Sequence, residues 1–154
     1  MPTYEIRCTA HKLNDAPCGY ASKPETATRY LLDNCFPEDE LWREKAYALY
    51  LDHKCRVIGH LLLSVGGTDS TDIDFRLLAK GALDVMAKAV ILAHNHPSGD
   101  TRPSQSDIRM TDRAKKGLSF LGINLPDHII IGCGAAYSFQ EERIFEIYHS
   151  QRHE

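Results

Sequence analysis

Apolar positions change their spacing several times along the chain, and each change predicts an element. Tyr4-Glu5-Ile6-Arg7-Cys8 alternates apolar and polar residues, the period of a short strand. Ser22-Lys23-Pro24-Glu25 has the pattern of a capping box with proline at an early helical position, and Ala27, Tyr30, Leu31 and Cys35 then recur at helical spacing. A helix over 24–35 is expected. From Glu44 to Leu51 aromatic and aliphatic residues alternate. After the polar turn Asp52-His53-Lys54, a second run from Cys55 to Val65 is rich in β-branched residues and leucine. The two runs predict a β-hairpin closed by Gly66-Gly67.

Residues Arg76 to Lys88 place Leu78, Ala82, Val85 and Met86 on one helical stripe, which feeds the continuous apolar run Ala89-Val90-Ile91-Leu92-Ala93. A run of that length reads as a buried central strand. The stretch Asn95 to Pro103, with Pro97, Gly99 and Pro103, breaks both periods and must be a loop. Ser104 opens a helix with Ile108, Ala114, Leu118 and Leu121 on its apolar face. Strands over 127–133 and 136–139 follow, and then a short amphipathic helix through Ile144 and Ile147. Helices and strands mixed around a sheet with an antiparallel hairpin define an α/β sandwich rather than a bundle or barrel.

The 154 residues suit one domain, 1–154, and there is no repeat or low-complexity linker to divide them. Lys plus Arg total 18 against 21 for Asp plus Glu, so the chain is not the polycation expected of a phosphate-backbone binder. No apolar run is long enough to span a bilayer, and Met1-Pro2-Thr3-Tyr4-Glu5 lacks a signal-peptide core, so a cytoplasmic protein with no membrane partner is expected. Cys8, Cys18, Cys35, Cys55 and Cys133 are odd in number and irregular in spacing, which predicts reduced and mostly buried thiols.

Histidine is where chemistry concentrates. His94 and His96 follow the apolar strand, and residues i and i+2 of an extended chain project to the same side, so two imidazoles share one space. Asp107, on the first turn of the next helix, can be folded back toward them by the intervening loop. Two histidines and a carboxylate are the protein ligands of an open zinc site of hydrolytic type, although they suit several other divalent ions. Asp107 also stands three residues after Ser104 and could close a capping box, a role compatible with the first.

The stretch Val90 to Asp100, containing His94-Asn95-His96-Pro97-Ser98-Gly99, and then Pro103-Ser104-Gln105-Ser106-Asp107, closely resembles the JAB/MPN domain of the RadC-type DNA repair protein family. It also fits the wider JAMM metalloprotease pattern of an upstream Glu, then His-x-His-Pro, then Ser-x-x-Asp. The similarity runs from about residue 44 to 139, leaving 1–43 as an extension of a strand and a helix. The resemblance implies a mixed-sheet α-β-α sandwich of the JAB/MPN, cytidine-deaminase-like, type. It implies one zinc ion per chain, held by His94, His96 and Asp107. The family glutamate that handles the proton of the attacking water corresponds to Glu44, with Glu38, Asp39 and Glu40 close by. The family serine that supports the oxyanion corresponds to Ser104. The implied reaction is cleavage of an amide or isopeptide bond in a protein or peptide substrate.

Several features depart from the family pattern. RadC-type sequences commonly carry Arg-Glu before the helix preceding the metal strand, and here the pair is Arg76-Leu77, which removes one expected polar contact at that helix start. No Gly-rich helix-hairpin-helix pair precedes Glu44, so a built-in DNA-binding module is not expected. A cytidine deaminase would need His-x-Glu and Pro-Cys-x-x-Cys, and both are missing. His128 reads as a structural histidine, with orientation of a metal ligand as the alternative. The rival to a hydrolase is a non-catalytic accessory protein in DNA repair or recombination that uses the same fold as an interaction platform.

Overall fold

A computed structural model describes residues 2–5, 19–66 and 72–147 of the chain. The described elements run α1 (Pro24–Asn34), a tight helical turn (Glu38–Glu40), β1 (Lys45–Leu51), β2 (Val57–Val65), α2 (Phe75–Asp84), β3 (Ala89–Asn95), α3 (Gln105–Phe120), β4 (Asn124–Ile131), β5 (Ala135–Ser138) and β6 (Arg143–Glu146). The strands form one mixed sheet in the order β2-β1-β3-β4-β5-β6. β3 and β4 are parallel, as a crossover through α3 requires, and the other neighbours are antiparallel. This is the expected mixed α/β sandwich.

Strand alternation decides which residues meet which helix. Leu49, Leu51, Ile91, Ala93, Ile129 and Ile131 join Ala27, Leu31 and Leu32 of α1 in one core layer. Ala46, Ala48, Tyr50, Val90 and Leu92 face the other way, onto Leu78 and Ala82 of α2 and Ala114 and Leu118 of α3. β3 is buried on both faces, which explains why its sequence is continuously apolar. Each fully buried Leu or Ile contributes about 1.5–3 kcal/mol.

Several local expectations are corrected. The stretch through Ile144 and Ile147 is not a helix. Phe145 and Ile147 are buried while Ile144 and Glu146 are exposed, and pairing with β5 turns that alternation into strand β6. The N-cap of α1 is Lys23 rather than Ser22, and the Thr26 hydroxyl accepts from the Lys23 N–H at 3.2 Å and donates to its carbonyl at 2.9 Å. α2 ends at Asp84 because Met86 takes a left-handed conformation (φ 53°), which leaves Met86 exposed instead of on the apolar stripe. On α3 only Ala114 and Leu118 of the proposed face are buried, and Ile108 and Leu121 are exposed. β4 begins at Asn124 and stops at Ile131, short of Cys133. Of the described thiols Cys35 is buried, Cys55 half-buried and Cys133 exposed, all of them free. Tyr4 and Glu5 are not in a strand, and the rest of that proposed strand lies outside the described residues, as does Gly67.

The start of α2 has a polar contact of its own, made by Asp74 two residues before Arg76. Asp74 caps α2, accepting from the Arg76 N–H at 2.9 Å and pairing with the Arg76 guanidinium at 3.1 Å.

Candidate metal centre

The end of β3 carries the site. His94 pairs in register with Ala46 of β1 and Ile130 of β4, and its ring projects toward α3. His96 lies just past the strand, where its N–H donates to the Ile131 carbonyl at 2.9 Å, so the parallel β3–β4 pairing effectively extends one step into the loop. The two rings meet with Nε2 atoms 3.0 Å apart, and a carboxylate oxygen of Glu44 comes within 4.8 Å of their nitrogens. Glu44 and His94 are buried and His96 half-buried.

Asp107 closes the cluster from the first turn of α3. Its Oδ1 lies 3.2 Å from His94 Nε2 and its Oδ2 lies 3.2 Å from His96 Nε2. The same carboxylate accepts from the Ser104 N–H at 2.8 Å, while Ser104 Oγ accepts from the Asp107 N–H at 3.0 Å. The capping box and the contact with the histidines are thus made by one side chain, and the helix cap aims the carboxylate. Burial by itself would raise the Asp107 carboxyl, but the neighbouring imidazoles of His94 and His96 outweigh it and hold the group far below the usual carboxylate range. His96 shifts the opposite way, its basicity raised chiefly by Asp107 against the cost of burial.

The donor set fits a divalent cation. His96 Nδ1 lies 2.7 Å from the Asp100 carbonyl, which can only accept, so Nδ1 carries a proton and Nε2 of the neutral ring turns its lone pair inward. Imidazole nitrogens and carboxylate oxygens at 3.0–3.2 Å repel one another unless a hydrogen or a positive charge lies among them. A proton on His96 supplies one such charge, and a metal ion supplies it with the histidine–carboxylate ligand types of zinc sites.

Asn95, between the two histidines, points to neither. It is 1% exposed, its Oδ1 accepts from the Lys45 N–H at 2.8 Å, and its Nδ2 donates to the carbonyls of Leu41 and Arg43 at 3.0 and 2.9 Å. Arg43 and Lys45 flank Glu44, so one amide clamps the backbone on both sides of that carboxylate. Glu44's own carbonyl accepts from the Gly66 N–H at 2.9 Å. Of the acidic residues near it in sequence, Glu40 ion-pairs with Lys45, and only Glu44 enters the cluster.

His128, by sequence a structural histidine or a group that orients a metal ligand, lies with its ring in contact with the site. Its Nε2 is 2.7 Å from His94 Nδ1, its Nδ1 is 2.6 Å from Thr111 Oγ1, and Phe139 stacks on its face at 4.8 Å between ring centroids. Thr111 carried no signal in the sequence beyond a position one turn after Asp107.

A mixed α/β sandwich with a buried Glu/His/His cluster at the end of its central strand defines a domain built around a metal-binding type of site. The family comparison is specific: the RadC-like JAB domain profile matches residues 21–144, and the chain belongs to that family. The match begins well before Glu44, so the family's extent takes in α1 as well. A UPF0758 protein of Porphyromonas gingivalis is 42% identical over 118 residues, covering 76% of this chain and 49% of that protein. The Escherichia coli UPF0758 protein YfjY is 46% identical over 101 residues, covering 66% of this chain and 63% of the relative. A UPF0758 protein of Methanococcoides burtonii is 43% identical over 103 residues, 67% of this chain and 45% of its own length. The chain therefore spans about half to two thirds of these relatives. No helix among the described residues is long and apolar enough to cross a membrane.

Proposed function

We propose that the domain is a zinc-dependent hydrolase of amide or isopeptide bonds in a protein or peptide substrate, with His94, His96 and Asp107 holding the ion and Glu44 acting as general base. The observation that carries this reading is the convergence of two imidazole nitrogens and a carboxylate at 3.0–3.2 Å, with a second buried carboxylate beside them. When bound, zinc supplies Lewis acidity, which polarises a carbonyl and brings the pKa of water toward ~7. Glu44 takes the proton of the attacking water on a carboxylate oxygen as the new C–O bond forms. It then returns that proton to the departing nitrogen as the C–N bond breaks, so no charge is left on the leaving amine. Ser104 Oγ accepts from the Asp107 N–H, which leaves its own proton to donate to the carbonyl oxygen as that atom gains charge. A reducing, cytoplasmic location fits the odd number and irregular spacing of the five cysteines.

The test begins with the metal content of the purified chain, measured by elemental mass spectrometry beside the His94→Ala, His96→Ala double variant. Near-stoichiometric zinc that the variant lacks is expected, and an absence of metal from the wild type overturns the reading. Hydrolysis is then followed on internally quenched peptides and on lysine-isopeptide substrates. Glu44→Gln should keep zinc and abolish turnover. Metal retained with no turnover, and Glu44→Gln indistinguishable from wild type, would instead favour an interaction protein, such as an accessory factor in DNA repair.

A further inference from the structure

We propose that Thr111 and His128 are positioning residues that fix the ring tautomer of His94, so that its Nε2 lone pair, and not an N–H, faces the metal position. This rests on the metal reading above and adds to it a relay that runs through three elements, β3, β4 and α3. The direction of each hydrogen bond follows from counting protons. Thr111 Oγ1 lies 2.7 Å from the Asp107 main-chain carbonyl, an approach of two oxygens that requires a hydrogen between them, and only the hydroxyl can supply it. With its single proton committed there, the hydroxyl offers a lone pair to His128, 2.6 Å away, so His128 Nδ1 carries hydrogen.

His128 is 1% exposed, and its ring meets the Thr111 hydroxyl, the His94 imidazole and the Phe139 face rather than a carboxylate, so the uncharged ring carries one proton. That proton is on Nδ1, and Nε2 therefore accepts from His94 Nδ1–H across 2.7 Å. His94 Nε2 is left as a lone pair directed at Asp107 and His96. The relay ends on the backbone carbonyl of Asp107, whose side chain is a member of the same cluster, so two groups of the site are tied together behind it. Phe139, stacked nearly parallel to the His128 ring (9°), covers the relay and keeps water from competing for its nitrogens. Hydrogen bonds that set the tautomer of a ligating histidine typically govern metal affinity by 10–100-fold.

The experiment uses the full 154-residue chain in three forms, wild type, Thr111→Val and Thr111→Ser. Two readouts are taken. The first is the tautomer of His94 in metal-free protein, from long-range ¹H–¹⁵N spectra of ¹⁵N-histidine-labelled samples. The second is zinc affinity against a competing chelator. Wild type should show His94 protonated at Nδ1. Thr111→Val, which keeps the shape but loses the hydroxyl, should mix the tautomers and weaken zinc about 10–100-fold, and Thr111→Ser should restore both. A purely structural threonine would leave the tautomer unmoved. Wild-type His94 protonated at Nε2, or Thr111→Val with an unchanged tautomer and unchanged zinc affinity, overturns the proposal. Failure of wild type to bind zinc would overturn the metal reading instead, and the tautomer measurement would still decide the relay.

Discussion

Replacing Asn95 by Asp is expected to destabilise the protein by ~2–4 kcal/mol while changing only one functional group. The side chain is buried at 1% exposure and uses both ends of its amide. Aspartate keeps an oxygen to accept from the Lys45 N–H, now at 2.8 Å, but in place of two N–H donors it sets an oxygen 3.0 and 2.9 Å from the carbonyls of Leu41 and Arg43. Two lost hydrogen bonds account for ~1–3 kcal/mol, and two carbonyls left facing an acceptor add to that, though less than in a deep core because Arg43 is exposed and water can reach it. At the ~2–4 °C per kcal/mol usual for a chain of this size, a fall in Tm of ~6–12 °C follows for a loss near ~3 kcal/mol. Thermal denaturation followed by circular dichroism measures it. Since the clamp holds the Glu44 backbone and not the imidazoles, hydrolysis should also fall more steeply than zinc affinity. A variant that melts within ~1 °C of wild type, or one that loses zinc while Glu44-dependent turnover is spared, would refute the clamp.

Asp107→Asn should weaken zinc by more than ~tenfold, about 1.4 kcal/mol, because a ligand charge is lost, while the amide oxygen still accepts from Ser104 and holds any loss of fold stability from the helix cap within ~1 kcal/mol; chelator competition and urea unfolding separate the two effects. Gly132→Ala would place a Cβ 2.4 Å from the Gly99 carbonyl oxygen and 2.5 Å from Thr101 Cγ2. A cost of ~1–3 kcal/mol is expected, and the displaced loop, whose Asp100 carbonyl holds the His96 ring, should lower zinc affinity as well, read in the same two assays. Zinc affinity should also rise with pH. Asp107 raises the basicity of His96 above its ordinary 6.5, so a proton competes for Nε2 up to the raised value, and the gain should level off once that proton is lost; chelator titrations across that range test the sign.

The shared side of the histidine pair and the Ser104–Asp107 capping box were legible because each of those relations is local, whereas the joining of the two into one site, and a role for Ser104 in it, followed from the family resemblance. A strand puts i and i+2 on one side, and a helix N-terminus pairs Ser104 with Asp107. The hairpin and the continuously apolar β3 were legible for the same reason. The expected helix at β6 fails because the four residues Arg143–Glu146 acquire a strand's hydrogen bonds only from β5, and nothing within the segment itself states that a partner is available. The partners of the central residues were equally invisible. Asn95 stands between two histidines, yet its amide reaches back some fifty residues to Arg43 and Lys45, on either side of Glu44. His128 and Thr111 lay on a strand and a helix that nothing in the chain's periodicity connects, and only the parallel docking of β4 beside β3 under α3 brings them to His94. Periodicity records which face of an element is buried, whereas the hydrogen bonds that aim a ligand or clamp a base depend on which elements become neighbours, and that is settled by packing the two core layers onto the sheet.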